Sequence, residues 1–247
     1  MRARRIPTGA AWALGAMLAV LGSSAAFGQA IEIDLGQNGL LSERLIQILI
    51  LMTALSLVPG LAVMITCFPF MVTVLAILRQ GIGLQTSPPN ILIVSLALFL
   101  TYFVMEPVFL VAWDAGLQPM VENQISTEAG LAAALEPFRV FMAGRVDPDT
   151  FRHLAELRGA PPGPTADSAL SILVPSFLLS EVERAFQVGF LIFLPFLIID
   201  LVVAAILMSM GMMMVPPVIV SLPFKLGFFV LADGWSLVSG ALVTSYF

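Results

Sequence analysis

The 247 residues are 59% hydrophobic and only 11% charged, with 16 acidic side chains against 11 basic ones. Mean hydropathy is +1.01. A soluble domain carries about 25% charged residues, so this composition excludes an ordinary soluble enzyme and a disordered regulator. The acidic balance excludes a nucleic-acid binder, which needs a basic face. What remains is an all-α integral membrane protein. The single cysteine, Cys67, rules out an internal disulfide and a multi-cysteine metal site. The single histidine, His153, reads as a solvated loop residue.

Residues 1–28 read as a secretory signal peptide. Arg2, Arg4 and Arg5 form a positive start, Ala10 to Leu21 an apolar core, and Gly22 to Ala30 a tail of mostly small residues. That tail places cleavage between 26 and 30. The competing reading is an uncleaved membrane helix.

Gaps between charges map the rest. Arg44 and Arg79 are separated by 34 uncharged residues, Arg79 and Glu106 by 26, Arg184 and Asp200 by 15, and Asp200 and Lys225 by 24. A bilayer-spanning helix needs about 20 apolar residues. The predicted hydrophobic helices are 45–65 running on toward 78, 90–112, 185–208 and 216–240. Pro59-Gly60 and Pro69 should kink or break the first. Residues 29–113 therefore form a first hydrophobic hairpin and 169–247 a second.

Between them, 114–168 is hydrophilic. Twelve of the 27 charges fall between Asp114 and Asp167. Leu131 to Met142 and Thr150 to Arg158 are helix-like, and the charges read as a solvated face. If the mature chain starts outside, Arg79 is cytoplasmic. The 114–168 region and Phe247 are then extracytoplasmic.

The two hairpins echo each other. Pro88-Pro89 precedes Ile91 to Leu96, and Pro216-Pro217 precedes Val218 to Leu222. Either the halves are repeats or apolar sequence is matching itself.

Two features invite a functional reading. In Met208 to Met214, five of seven residues are methionine. Methionine fills irregular gaps and yields when they change. Gly211 permits unusual backbone angles, and Pro216 with Pro217 should stop the preceding helix. The loop is either apolar filler in a turn or a deformable seal where copies meet; its clustering at a turn favours the seal. The second feature is Asp200 and Lys225, each inside an apolar run. At about 1.5 Å per residue from the turn they lie at similar depth, so a hairpin can pair them. That pair is either structural or a proton or ion relay.

Lesser signals are a Ser180–Glu183 capping box at the start of the third helix, Glu106-Pro107 at the end of the second, and a polar break at Asp233-Gly234-Trp235. There is no nucleotide loop, metal motif or nucleophile–base pair, so no cofactor is expected. Gly81-Ile82-Gly83 lacks the context of a dinucleotide site.

Residues Phe190 to Asp200, Met208 to Pro217, Ser221 to Lys225 and Asp233 to Trp235 closely resemble the P-subunit (FliP) family of the flagellar type III export gate. Leu78 to Gly83, Ser87 to Asn90 and Pro137 to Met142 support the match. The resemblance implies a non-enzymatic subunit, pentameric in the family. It assembles with Q and R subunits into a helical channel at the basal body, in the inner membrane. Unfolded flagellar proteins pass through that channel. It places the family's gasket on Met210, Met212, Met213 and Met214, and it raises much of the complex above the bilayer. The related virulence-secretion subunit shares these motifs but usually lacks a cleavable signal. From composition alone the rival is an ion-coupled transporter or channel subunit using Asp200 and Lys225.

Overall fold

The computed structural model describes residues 40–84, 87–161, 163–212 and 214–247. The proposed signal peptide and Met213 lie outside them. The described residues are helical, without strands. The chain divides between Met52 and Thr53 into two compact units, and the second, Thr53–Phe247, carries the features that follow.

In chain order the helices are α1 (Leu40–Met64), α2 (Phe68–Ile82), α3 (Asn90–Ala112), α4 (Gln118–Val121), α5 (Thr127–Arg145), α6 (Pro148–Glu156), α7 (Leu170–Ser209), α8 (Pro217–Leu231) and α9 (Gly234–Thr244). A π-helical turn, Trp113–Leu117, joins α3 to α4. Among the described residues, two stretches are long and apolar enough to cross a membrane alone, Asn90–Val121 and Leu170–Ser209. Helices α8 and α9 qualify only together, as a pair bent by 62°.

Three expectations need correction. Helix α1 runs on through Pro59-Gly60. The break expected at Pro69 does occur, at 65–67 just ahead of it, and Pro69 sits in the first turn of α2, where its missing N–H would have had no partner anyway. Glu106-Pro107 does not end α3, which continues to Ala112. Helix α7 begins at Leu170 rather than 185, so Ser180 and Glu183 are mid-helix and no capping box forms. The Ser180 hydroxyl donates to the carbonyl of Ser176 one turn earlier, at 2.8 Å, a bond open to serine inside a helix.

Helix α2 packs against α3, α7 and α8. It buries Phe70, Met71, Val74, Leu75, Leu78 and Ile82, the spacing of one helical face. From the other helices Ala97, Met105, Ala185, Phe196, Phe229 and Leu242 join this core. Close approach of α2 and α7 depends on Gly189, where a Cβ would lie 2.5 Å from Ile77 Cδ1. Small residues at such contacts let apolar helices gain dispersion energy where lipid is no less apolar than the side chains. A second core forms where α5, α6 and α7 meet, from Met142, Val146, Phe151, Ala155, Leu173 and Phe177. Asp147 caps α6 by accepting from the N–H groups of Asp149 and Thr150.

Candidate functional site

The α7–α8 turn is built from backbone chemistry. Gly211 has φ of 74°, in the left-handed region that favours glycine. The Met212 N–H donates to Leu207 O at 2.9 Å and the Gly211 N–H to Met208 O at 3.0 Å. This is the Schellman arrangement, which ends a helix at a left-handed glycine. So Gly211 stops α7, five residues before the prolines assigned that task from sequence. Pro216 instead is the residue before α8, and Pro217 opens that helix.

The α2–α3 turn repeats the device. Gly83, with φ of 88°, ends α2, and Pro89 precedes α3. Pro88 contributes a carbonyl that accepts from Arg79 Nη1 at 3.3 Å, and Arg79 also donates to Asn90 Oδ1. Gly83, Leu84 and Val218 line one cavity, so the two turns sit at the same end of the packed unit.

On this frame the methionines face outward. Met210 is 67% exposed, Met212 42% and Met214 98%. Little else among the described residues covers them. Met208, at the end of α7, is also exposed.

Asp200 and Lys225 are brought together within one chain. Lys225 Nζ lies 2.5 Å from Asp200 Oδ2. The other carboxylate oxygen accepts from Ser221 Oγ at 2.5 Å, and Lys225 also donates to Gly81 O at 3.2 Å. One ion pair thus ties α7 and α8 to the last turn of α2, whose carbonyls carry the negative end of the helix dipole. The side chains are unequally shielded, Lys225 4% exposed and Asp200 26%.

A second ionic node went unseen in the sequence. Glu181, on α7, is fully buried. Its Oε1 lies 3.3 Å from Arg145 Nε and 3.8 Å from Arg184 Nη1. Its Oε2 accepts from the Tyr246 hydroxyl. Burial, reinforced by this carboxylate, pushes the Tyr246 phenol well above its ordinary range, so it stays a donor. An acid one turn before an arginine, Glu181 and Arg184 flanked by apolar stretches on both sides, was the available signal. Its other partners lie 36 and 65 residues away. Among the described residues no cluster of three or more His, Cys, Asp or Glu could hold a metal ion.

Residues 51–242, most of the chain, including both turns and the Asp200–Lys225 pair, match the FliP family. The chain belongs to that family. It is 48% identical over 229 residues to the flagellar biosynthetic protein FliP of Caulobacter vibrioides, covering 92% of this chain and 86% of that one. Similarity to the protein of the same name from Agrobacterium fabrum is 48% identity over 199 residues, 79% of this chain and 81% of that one. With that of Bacillus subtilis it is 44% over 204 residues, covering 81% and 91%.

Proposed function

We propose that this chain is a non-enzymatic core subunit of the flagellar export gate in the inner membrane at the basal body. Several copies, five by the family resemblance, assemble with the Q and R subunits around a channel for unfolded flagellar proteins. Their methionine loops converge to seal it. Exposed apolar surface on the remaining helices meets sister subunits and membrane lipid. After signal cleavage, the 114–168 region stands outside the cytoplasm.

The observation that carries this reading is the exposure of the methionines at a firmly built tip. Apolar side chains left uncovered at the end of a hairpin call for cover from another molecule. Methionine is the apolar residue best able to close around a passing chain and close again. The transporter alternative gains nothing from the geometry. Both charges of the Asp200–Lys225 pair already have partners within the chain, which fits a brace better than a relay. The 44–48% identity to flagellar relatives favours the flagellar over the virulence system.

The test replaces Met212, Met213 and Met214 together, by alanine or by leucine. Alanine removes bulk at the tip without touching the glycine and proline frame. The assembled alanine variant should leak small ions across the resting membrane. Leucine keeps volume and apolarity, and such swaps cost under about 1.5 kcal/mol in packed sites, so it should seal far better. An assembled alanine variant as tight as the wild type rejects the seal.

A further inference from the structure

We propose that Ser245-Tyr246, the stretch following α9, is a latch that fixes α5 against α7 through the buried carboxylate of Glu181. The latch sets where the hydrophilic helices α5 and α6 stand relative to the helices that carry the methionine loop. It rests on the geometry of this node alone and is independent of the pore reading.

Glu181 has no exposure, and an ionised carboxylate in that position must be fully partnered. Arg145 and Arg184 approach only one of its oxygens. Tyr246 supplies the hydrogen bond to the other. Arg145 depends on the same stretch. Its Nη1 donates to Ser245 O at 2.9 Å, and its guanidinium carbon lies 4.0 Å from the centre of the Tyr246 ring. The ring also meets Phe70 of α2 edge-on at 5.5 Å and stacks on Phe141 of α5 at 6.2 Å. One side chain therefore holds three helices at once. The node has little to spare, since Arg145 Nη2 is already buried without a hydrogen-bond partner. Removing Tyr246 takes a donor from Glu181 and an aromatic face from Arg145 together.

The hold extends toward the loop. Helix α9 is fixed at its far end by the bend at Asp233-Gly234 and at its near end by the latch. Helix α8, on the other side of the bend, starts at the methionine turn. An open latch would free the last turn of α5 and the middle of α7 first, with α8 affected only through α9.

Hydrogen–deuterium exchange of the full chain in mild detergent tests this, comparing Tyr246→Leu and Tyr246→Phe with the wild type. Tyr246→Leu should speed exchange about tenfold in 141–146 and 178–184, the consequence of losing a hydrogen bond to a charged group, while 217–231 holds its rate. Tyr246→Phe keeps the ring against Arg145, Phe70 and Phe141, so its rise should be smaller and confined to 178–184. Unchanged rates in both segments overturn the latch, and so does an equal rise in every helix, which would make Tyr246 ordinary core filling. If Tyr246→Leu does not fold, Tyr246→Phe decides alone: faster exchange in 178–184 supports the latch, and wild-type exchange there refutes it.

Discussion

Removing Asp200 and removing Lys225 should not be equivalent, although the two form one ion pair. Asp200→Leu strands Lys225, a side chain only 4% exposed, with Gly81 O as its remaining partner. Stranding one member of a buried pair costs about 3–5 kcal/mol. Lys225→Met leaves a carboxylate that is 26% exposed and still bonded to Ser221. Water and that hydroxyl reduce the loss to about 1–3 kcal/mol. The double variant, apolar at both positions, should recover most of it, because well-packed apolar replacements of a buried pair are often neutral. Ser221 keeps its bond to Val218 O in that variant. Exchanging the two residues should recover less, since a carboxylate at 225 would face the Gly81 carbonyl. The measurements are thermal unfolding in mild detergent and native mass of the assembled complex. If Lys225→Met is as damaging as Asp200→Leu, the argument from unequal burial fails. A double variant that assembles but blocks export would make the charges functional and restore the relay.

Three further predictions are simpler. Gly116→Ala should destabilise by about 1–3 kcal/mol or more, because its Cβ would sit 2.4 Å from the backbone nitrogen of Ala134 and 2.5 Å from Gly130 O; Gly144→Ala, with nothing within 4 Å, should stabilise α5 by about 0.5 kcal/mol, and paired melting curves check both. Intact mass should show a mature chain starting between residues 27 and 31, and a chain still carrying Met1 to Arg5 would sink the signal reading.

The sequence was most legible where charge and apolarity alternate sharply. Helix α3 matches the 90–112 expectation, starting directly after Pro88-Pro89 and running on past Glu106 to Ala112, and the pairing depth of Asp200 and Lys225 followed from counting residues to the turn. Two kinds of feature were hidden. The first is position-dependent backbone chemistry. Pro59 and Pro107 read as breaks, yet both lie inside helices, where neighbouring groups can re-satisfy the freed carbonyls. Gly211 read correctly as a residue that permits unusual backbone angles, but the task of ending α7, which its position and these hydrogen bonds perform, was given to the prolines. The second is burial of charge by distant partners. Ser180 and Glu183 read as the cap of the third helix, beside Glu181, which cost α7 its first 15 residues in the sequence reading. Only the fold reveals that Arg145 and Tyr246 make a buried carboxylate tolerable there.

The bend between α8 and α9 is where local geometry and long-range packing can be separated. Asp233 holds a left-handed conformation, φ 49° and ψ 47°, and the two helices part there by 62°. The next residue is glycine for a different reason. A Cβ on Gly234 would lie 2.1 Å from Cε2 of Phe229. That ring cannot step back freely, since it is buried against Phe196 at 6.3 Å and packs edge-on against Trp235 at 5.4 Å. Gly234→Ala must therefore open the bend or displace the aromatic cluster, at a cost of about 1–3 kcal/mol for overpacking. Asp233→Gly should act in the opposite direction, relieving up to about 1 kcal/mol of left-handed strain; the greater freedom of glycine in the unfolded chain offsets part of that gain. Thermal unfolding of the two purified variants gives both signs in one assay. Because the change at 234 pushes on α9, exchange should also quicken at 178–184, where Tyr246 reaches Glu181. A neutral Gly234→Ala would mean that the aromatic cluster gives way without cost. A destabilising Asp233→Gly would mean that the Asp233 side chain, rather than the backbone angle, maintains the bend.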